Sequence, residues 1–135
     1  MKYKHTIKGD SAMSRIERNL HGDFNEVLSA LVNKIMYGSL SASMEAGSDY
    51  QLGEVRCAVR VFERYSMIGS SRVSLNITLL GVEQNLFLSA ISSGGSQAVF
   101  FKINTFGEDA FLSTIMDVVN LYETPYVPSP QKVSE

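Results

Sequence analysis

The alternation of apolar and polar residues through residues 54–91 constrains this chain more than any other feature. Glu-Val-Arg-Cys-Ala-Val-Arg-Val-Phe-Glu-Arg-Tyr at 54–65 is followed by Ser-Arg-Val-Ser-Leu-Asn-Ile-Thr-Leu-Leu at 71–80 and Leu-Phe-Leu-Ser-Ala-Ile at 86–91. A period of two is that of half-buried strands, because successive side chains leave opposite faces of a sheet. Val55, Cys57, Val59 and Val61, with Val73, Leu75, Ile77 and Leu79, are expected on the core face. Arg56, Arg60 and Arg64, with Arg72, Ser74, Asn76 and Thr78, then share the other face, where Phe62 is the one aromatic. A one-residue slip would expose every valine and leucine, so the buried face sets the parity.

Helices flank this block. Asp23 is an N-cap residue, and Glu26 three positions later completes an Asp variant of the capping box. Phe24, Val27, Leu28, Leu31 and Ile35 follow at helical spacing, and Gly38 ends the helix. Residues 39–46 alternate again and read as a strand, with Gly47-Ser48-Asp49 as the turn after it. Residues 66–70 form a hairpin loop, Gly81 to Asn85 turns into the strand at 86–91, and Ser92 to Ser96 breaks that strand. Residues 97–104 fit a strand or a helix, and Val99, Phe100, Phe101 and Ile103 favour a short strand. A last helix begins near Thr105 to Glu108 and carries Phe111, Ile115, Val118, Val119 and Tyr122 on its apolar stripe. Residues 2–8 alternate as a short lysine-bearing edge strand, and Ile7-Lys8-Gly9-Asp10 is echoed by Leu20-His21-Gly22-Asp23.

The order strand, helix, several strands, helix predicts an α+β fold. One antiparallel sheet carries two helices on its apolar face, as in TATA-box-protein-like and helix-grip-like architectures. Residues 1–123 form a single domain, with 1–13 as an extra N-terminal strand or arm, and 124–135, which hold all three prolines, as a disordered tail.

Composition narrows the function classes. Hydrophobic residues make up 44% of the 135, enough for a core. The net charge of -2 supplies no field for nucleic acid, and no apolar run approaches the ~20 residues of a membrane span. The N-terminus lacks a signal-peptide pattern, and the single cysteine, Cys57, forms no internal disulfide, so a cytoplasmic location is expected, with neither nucleic acid nor membrane as partner. Cys57, between valines, is expected to be a buried and unreactive thiol. His5 and His21 have no metal-ligand spacing, and no nucleophile stands in a triad context; no catalytic residue, metal or cofactor is expected.

Two features suggest binding. Four of the six arginines, Arg56, Arg60, Arg64 and Arg72, fall on one face of one hairpin, with Arg64 opposite Arg72 in the tightest register. Guanidinium forks hold anions and carboxylates bidentately, so this face either takes such a ligand or a second copy of the chain, or it is a solvated surface with Glu45, Glu54 or Glu63 as counter-charges. Ser93, Gly94, Gly95 and Ser96 lie in a glycine-rich stretch, 92–97, whose amides either form an anion nest or make a plain turn. The reading is a non-enzymatic binding or interaction domain for an anionic small ligand or for self-association. A small enzyme with its site at 92–97 is the alternative.

Three stretches carry a resemblance: Val55 to Tyr65, Ser92 to Asn104, and Thr105-Phe106-Gly107-Glu108. Together they resemble an uncharacterised domain-of-unknown-function family (DUF6054-like) of small proteins from Gram-positive bacteria, over roughly residues 14–122. The resemblance implies no activity, and residues 1–13 depart from it.

Overall fold

The computed structural model describes residues 13–38, 42–65, 72–94 and 110–124. In chain order its elements are β1 (Met13–His21), α1 (Phe24–Gly38), β2 (Ser43–Leu52), β3 (Val55–Tyr65), β4 (Arg72–Val82), β5 (Asn85–Gly94), α2 (Ala110–Ser113) and α3 (Met116–Tyr122). The strands form one antiparallel five-stranded sheet in the order β1-β5-β4-β3-β2, which is the α+β arrangement expected. From β2 to β5 each strand folds back on the one before, while α1 carries the chain from one edge, β1, to the other. The copy Leu20-His21-Gly22-Asp23 is the one that ends the first strand. The strands expected at 2–8 and 97–104, and the capping residues 105–108, lie outside the described residues.

Local signals explain most of the elements. Asp23 Oδ2 accepts the backbone N–H of Glu26 at 3.0 Å, and Asp23 O accepts that of Val27 at 2.9 Å, so α1 starts where the cap was read. Phe24, Val27, Leu31 and Ile35 are the buried stripe of α1. The C-terminal helix is split at Thr114–Ile115 into α2 and α3, and Ile115, Val118 and Val119 are buried. Tyr122 closes this end: its OH donates to Glu26 at 3.1 Å, and its ring lies against Gly22. Burial, then the hydrogen bond to Glu26 and that carboxylate's charge, push the Tyr122 phenol above its ordinary pKa. Beyond it, Glu123 bridges to Leu20, and Thr124, placed in the tail by composition, donates its backbone N–H to Asn19 O.

Two hairpins are tighter than expected. Leu52 pairs with Val55 and Val82 with Asn85, so Gly53-Glu54 and Glu83-Gln84 are two-residue loops. Both loops place a positive φ at their first position, 61° at Gly53 and 57° at Glu83. Gly47-Ser48-Asp49, read as a turn, lies inside β2, and Ser92-Ser93-Gly94, read as a break, continues β5. Gly81, read as a turn residue, is buried in β4: a Cβ there would lie 2.6 Å from Leu86 and 2.8 Å from Phe24, so glycine admits the Phe24 ring to the sheet.

The core corrects the parity of β3. Val73, Leu75, Ile77 and Leu79 face the helices as expected, with Leu86, Leu88 and Ala90 of β5 beside them. Their partners in β3, however, are Arg64, Phe62, Arg60 and Ala58, not the valines. Phe62 and Ala58 are fully buried, whereas Val59 and Val61, expected in the core, lie half-exposed on the other face with Cys57 and Val55. The physical reason is the extent of the helical layer. All ten residues of β2 are exposed, so the layer stops at β3, and the inward side of β3 is a margin rather than a core strip. One aromatic ring fills that margin, and long arginine stems reach over its lip.

This assignment predicts a contrast between neighbours. Ile77→Ala and Phe62→Ala should lower stability by about 2–5 kcal/mol in a denaturant melt, while Val59→Thr should lower it by less than about 1 kcal/mol. Glu83→Gly, which relieves a left-handed non-glycine residue, should raise stability by roughly 0.5–1 kcal/mol.

Candidate functional site

The corrected register separates the four arginines. Arg56, Arg60 and Arg64 line one side of β3, facing the helices, and Arg72 stands on the opposite face of the sheet. Arg72 pairs across the strands with Tyr65, not with Arg64, and its guanidinium is matched by Glu63 and lies 5.5 Å from the Tyr65 ring. The inward three form a column along the boundary between the helix-covered sheet and the bare β2.

Two members of that column, Arg56 and Arg60, are built into the fold. Arg56 Nη2 donates to Asn25 Oδ1 at 3.0 Å, and its guanidinium sits 4.1 Å from the centre of the Phe24 ring, so it ties the start of α1 to β3. Arg60 is well enclosed, with a side chain 16% exposed. Its Nη2 donates to both oxygens of Asp49, at 3.0 and 3.3 Å, and its Nη1 donates to Val59 O at 2.9 Å and Ser48 O at 3.3 Å. Gly47 leaves room for the stem, since a Cβ there would lie 3.2 Å from Arg60 Cδ and press on it. Partial burial lowers the pKa of Arg64 from its ordinary value. A carboxylate of the chain itself therefore occupies the place where an anionic ligand was expected. Beside it, a shallow depression of about 170 Å³ is lined by Asp49, Tyr50, Gln51, Arg56 and Cys57.

The glycine-rich stretch is only partly described. Ser93 Oγ lies 3.1 Å from Ser74 Oγ, and Gly94, at φ 115°, lies so close to β4 that a Cβ would meet Arg72 O at 2.6 Å. Gly95 and Ser96 lie outside the described residues. Ser92 is fully buried, with no hydrogen-bond partner for its Oγ among the described residues.

The face away from the helices was expected to carry the arginines, and its apolar character was missed. No described element crosses it. Pairing places Tyr50 and Leu52 of β2, Val55, Cys57, Val59 and Val61 of β3, Leu80 and Val82 of β4, and Phe87 and Ile91 of β5 on this side. Tyr50 and Leu52 are 66% and 67% exposed, and Val55, Leu80, Val82 and Ile91 between 37% and 40%. The signal was present: β3 is apolar on both sides, with Ala58 and Phe62 between the valines, and a strand apolar on both faces has two neighbours to satisfy. Cys57, expected to be buried, is half-exposed in the middle of this patch.

If Asp49 stands in for an anion, removing it should create an anion site. In Asp49→Ala, stability should fall by about 0.2–1 kcal/mol, since Asp49 is largely exposed. Added phosphate at constant ionic strength should then raise the melting temperature of the variant and leave that of the wild type unchanged.

No curated protein matches the chain. The model of a family of unknown function (DUF6054) matches residues 13–123, from the first residue of β1 to the residue that bridges back to β1, and the chain belongs to that family.

Proposed function

We propose that the protein is a non-enzymatic interaction domain whose working surface is the open face of its sheet. The observation that carries this is the contiguous apolar patch across β2 to β5. An antiparallel sheet with one solvated face ordinarily turns polar residues outward. Here the outward residues at one end of four adjacent strands are Leu52, Val55, Val82, Leu80, Phe87, Cys57 and Tyr50, with Asn85 alone polar among them. Exposed apolar surface of this extent on a small domain marks a contact site. The arginine column is read as part of the scaffold, since Arg56 and Arg60 are held by Asn25, Phe24 and Asp49. A cytoplasmic, bacterial setting belongs to the same proposal: the half-exposed Cys57 is a free thiol that a reducing compartment preserves. No helix among the described residues is long and apolar enough to cross a membrane.

A surface kept for a partner contributes little to folding. Leu80→Thr with Val82→Thr should change the stability of the dilute protein by less than about 1 kcal/mol, because threonine retains strand propensity and both side chains are exposed. Cys57 in the same dilute sample should react with a thiol reagent within a factor of a few of its unfolded rate. A loss of 2 or more kcal/mol, with a protected thiol, would show that the chain covers this face itself.

A further inference from the structure

Taking the open face as a docking surface, we infer that its occupant is a second copy of the chain, bound face to face about a two-fold axis that runs along the strands between β3 and β4. The inference rests on the preceding reading and narrows it to one partner and one geometry.

The first argument is the distribution of polarity along the strands. At one end of the open face lie Leu52, Val55, Val82 and Leu80, with Asn85 the one polar residue in their rows; at the other lie Ser74, Ser93, Glu63 and Arg72, with Tyr65 beside Arg72. Two sheets packed face to face keep their strands within about 30° of alignment, which leaves two classes of two-fold axis. An axis across the strands lays the apolar end of one copy on the polar end of the other, and desolvates Glu63 and Arg72 against leucine and valine. An axis along the strands lays the apolar end on the apolar end and the polar end on the polar end.

The second argument places the axis. The strand order makes β3 and β4 the middle pair of β2 to β5. With the axis between them, Cys57 lies over the partner's Leu80, Tyr50 over the partner's Phe87, Val55 over the partner's Val82, and Leu52 over the partner's Asn85 at the end of the sheet. β1 falls outside the contact. Its outward residues Arg15, Glu17, Asn19 and His21 are the charged and polar column of this face, and this arrangement leaves all of them in water.

The third argument is size. Four strands at ~4.8 Å spacing and ten residues at ~3.4 Å rise give a footprint of ~650 Å². Two copies then bury ~1,300 Å², within the ~1,200–2,000 Å² of specific interfaces. The contact is isologous and closes, so it yields a dimer and not a filament.

The test reads oligomeric state and the native thiol together, by sedimentation and by labelling of Cys57 over about 1–200 μM protein. The wild type should be a dimer at the upper concentrations, with Cys57 labelling slowed on the order of tenfold as the dimer forms. Leu80→Arg should be a folded monomer with fast labelling at every concentration; Tyr50→Arg reads the same position should that variant not fold. Glu17→Lys, on β1, should dimerise as the wild type does. A wild type that stays monomeric with Cys57 reactive throughout overturns the inference and leaves the face open for a different protein. A dimer that survives Leu80→Arg, with Cys57 still reactive, overturns it by placing the contact elsewhere, such as the bare edge of β2. Slow labelling of a monomer overturns the docking surface itself.

Discussion

The pairing of Phe62 with Leu75 and of Ala58 with Leu79 is the contact on which the rest of the molecule depends. It puts a large aromatic and a small residue of β3 under the helices, both fully buried. Because side chains alternate, it also turns Arg56, Arg60 and Arg64 inward and the valines outward. A guanidinium cannot be left bare in a core, so the helical layer must end at this strand. Helices, strands and surfaces are arranged around that limit. The buried side chains of α1, α2 and α3 share one core with those of β4, β5 and Phe62, while every residue of β2, added beyond the limit, stays exposed.

At that boundary the arginines act as a hinge between layers. Arg56 turns toward α1 and is held by an amide oxygen and the face of an aromatic ring. Arg60 turns the other way, over Gly47, and is held by Asp49 and two backbone carbonyls. The two contacts tie the edge strand and the first helix to one strand, β3. The pair Arg60–Asp49 is unequal in exposure, with arginine enclosed and aspartate largely open, so its value lies in satisfying the arginine rather than in net Coulomb gain.

The elements were legible in the sequence where one local rule governed them. The cap at Asp23, the stripe of α1 and the alternation of β4 each announce themselves, because one face of each meets one core. β3 was misread because counting apolar residues favoured the valine side, four against two, and the count ignores that one Phe62 ring fills the space available. β2 was misread because Gly47-Ser48-Asp49 carries turn composition, yet an edge strand with no core to meet can carry any residues that pair. The four arginines were grouped on one face for the same reason: parity inferred from a hydrophobic count put Arg56, Arg60 and Arg64 with Arg72, which stands on the opposite face. The open face could not be seen until both faces of β3 were known.

Strand propensity alone does not account for the open face. Valine, isoleucine and tyrosine favour strands wherever they stand, so exposed ones in a sheet need no partner to explain them. Threonine has the same preference and is soluble, and this face uses it, with serine and asparagine, at Thr78, Ser74, Ser89, Ser93 and Asn76. What propensity leaves unexplained is position. Leu52, Leu80 and Cys57 are not β-branched, and they gather with Val55, Val82, Tyr50 and Phe87 at one end, where Asn85 is the one amide, while the hydroxyl side chains and Asn76 stand with Val59, Val61 and Ile91 in the middle and with Glu63 and Arg72 at the other end. A sheet selected only to form would scatter these residues. Segregation along the strands is the property that a contact surface with a defined orientation requires, since it is what distinguishes one docking axis from the other.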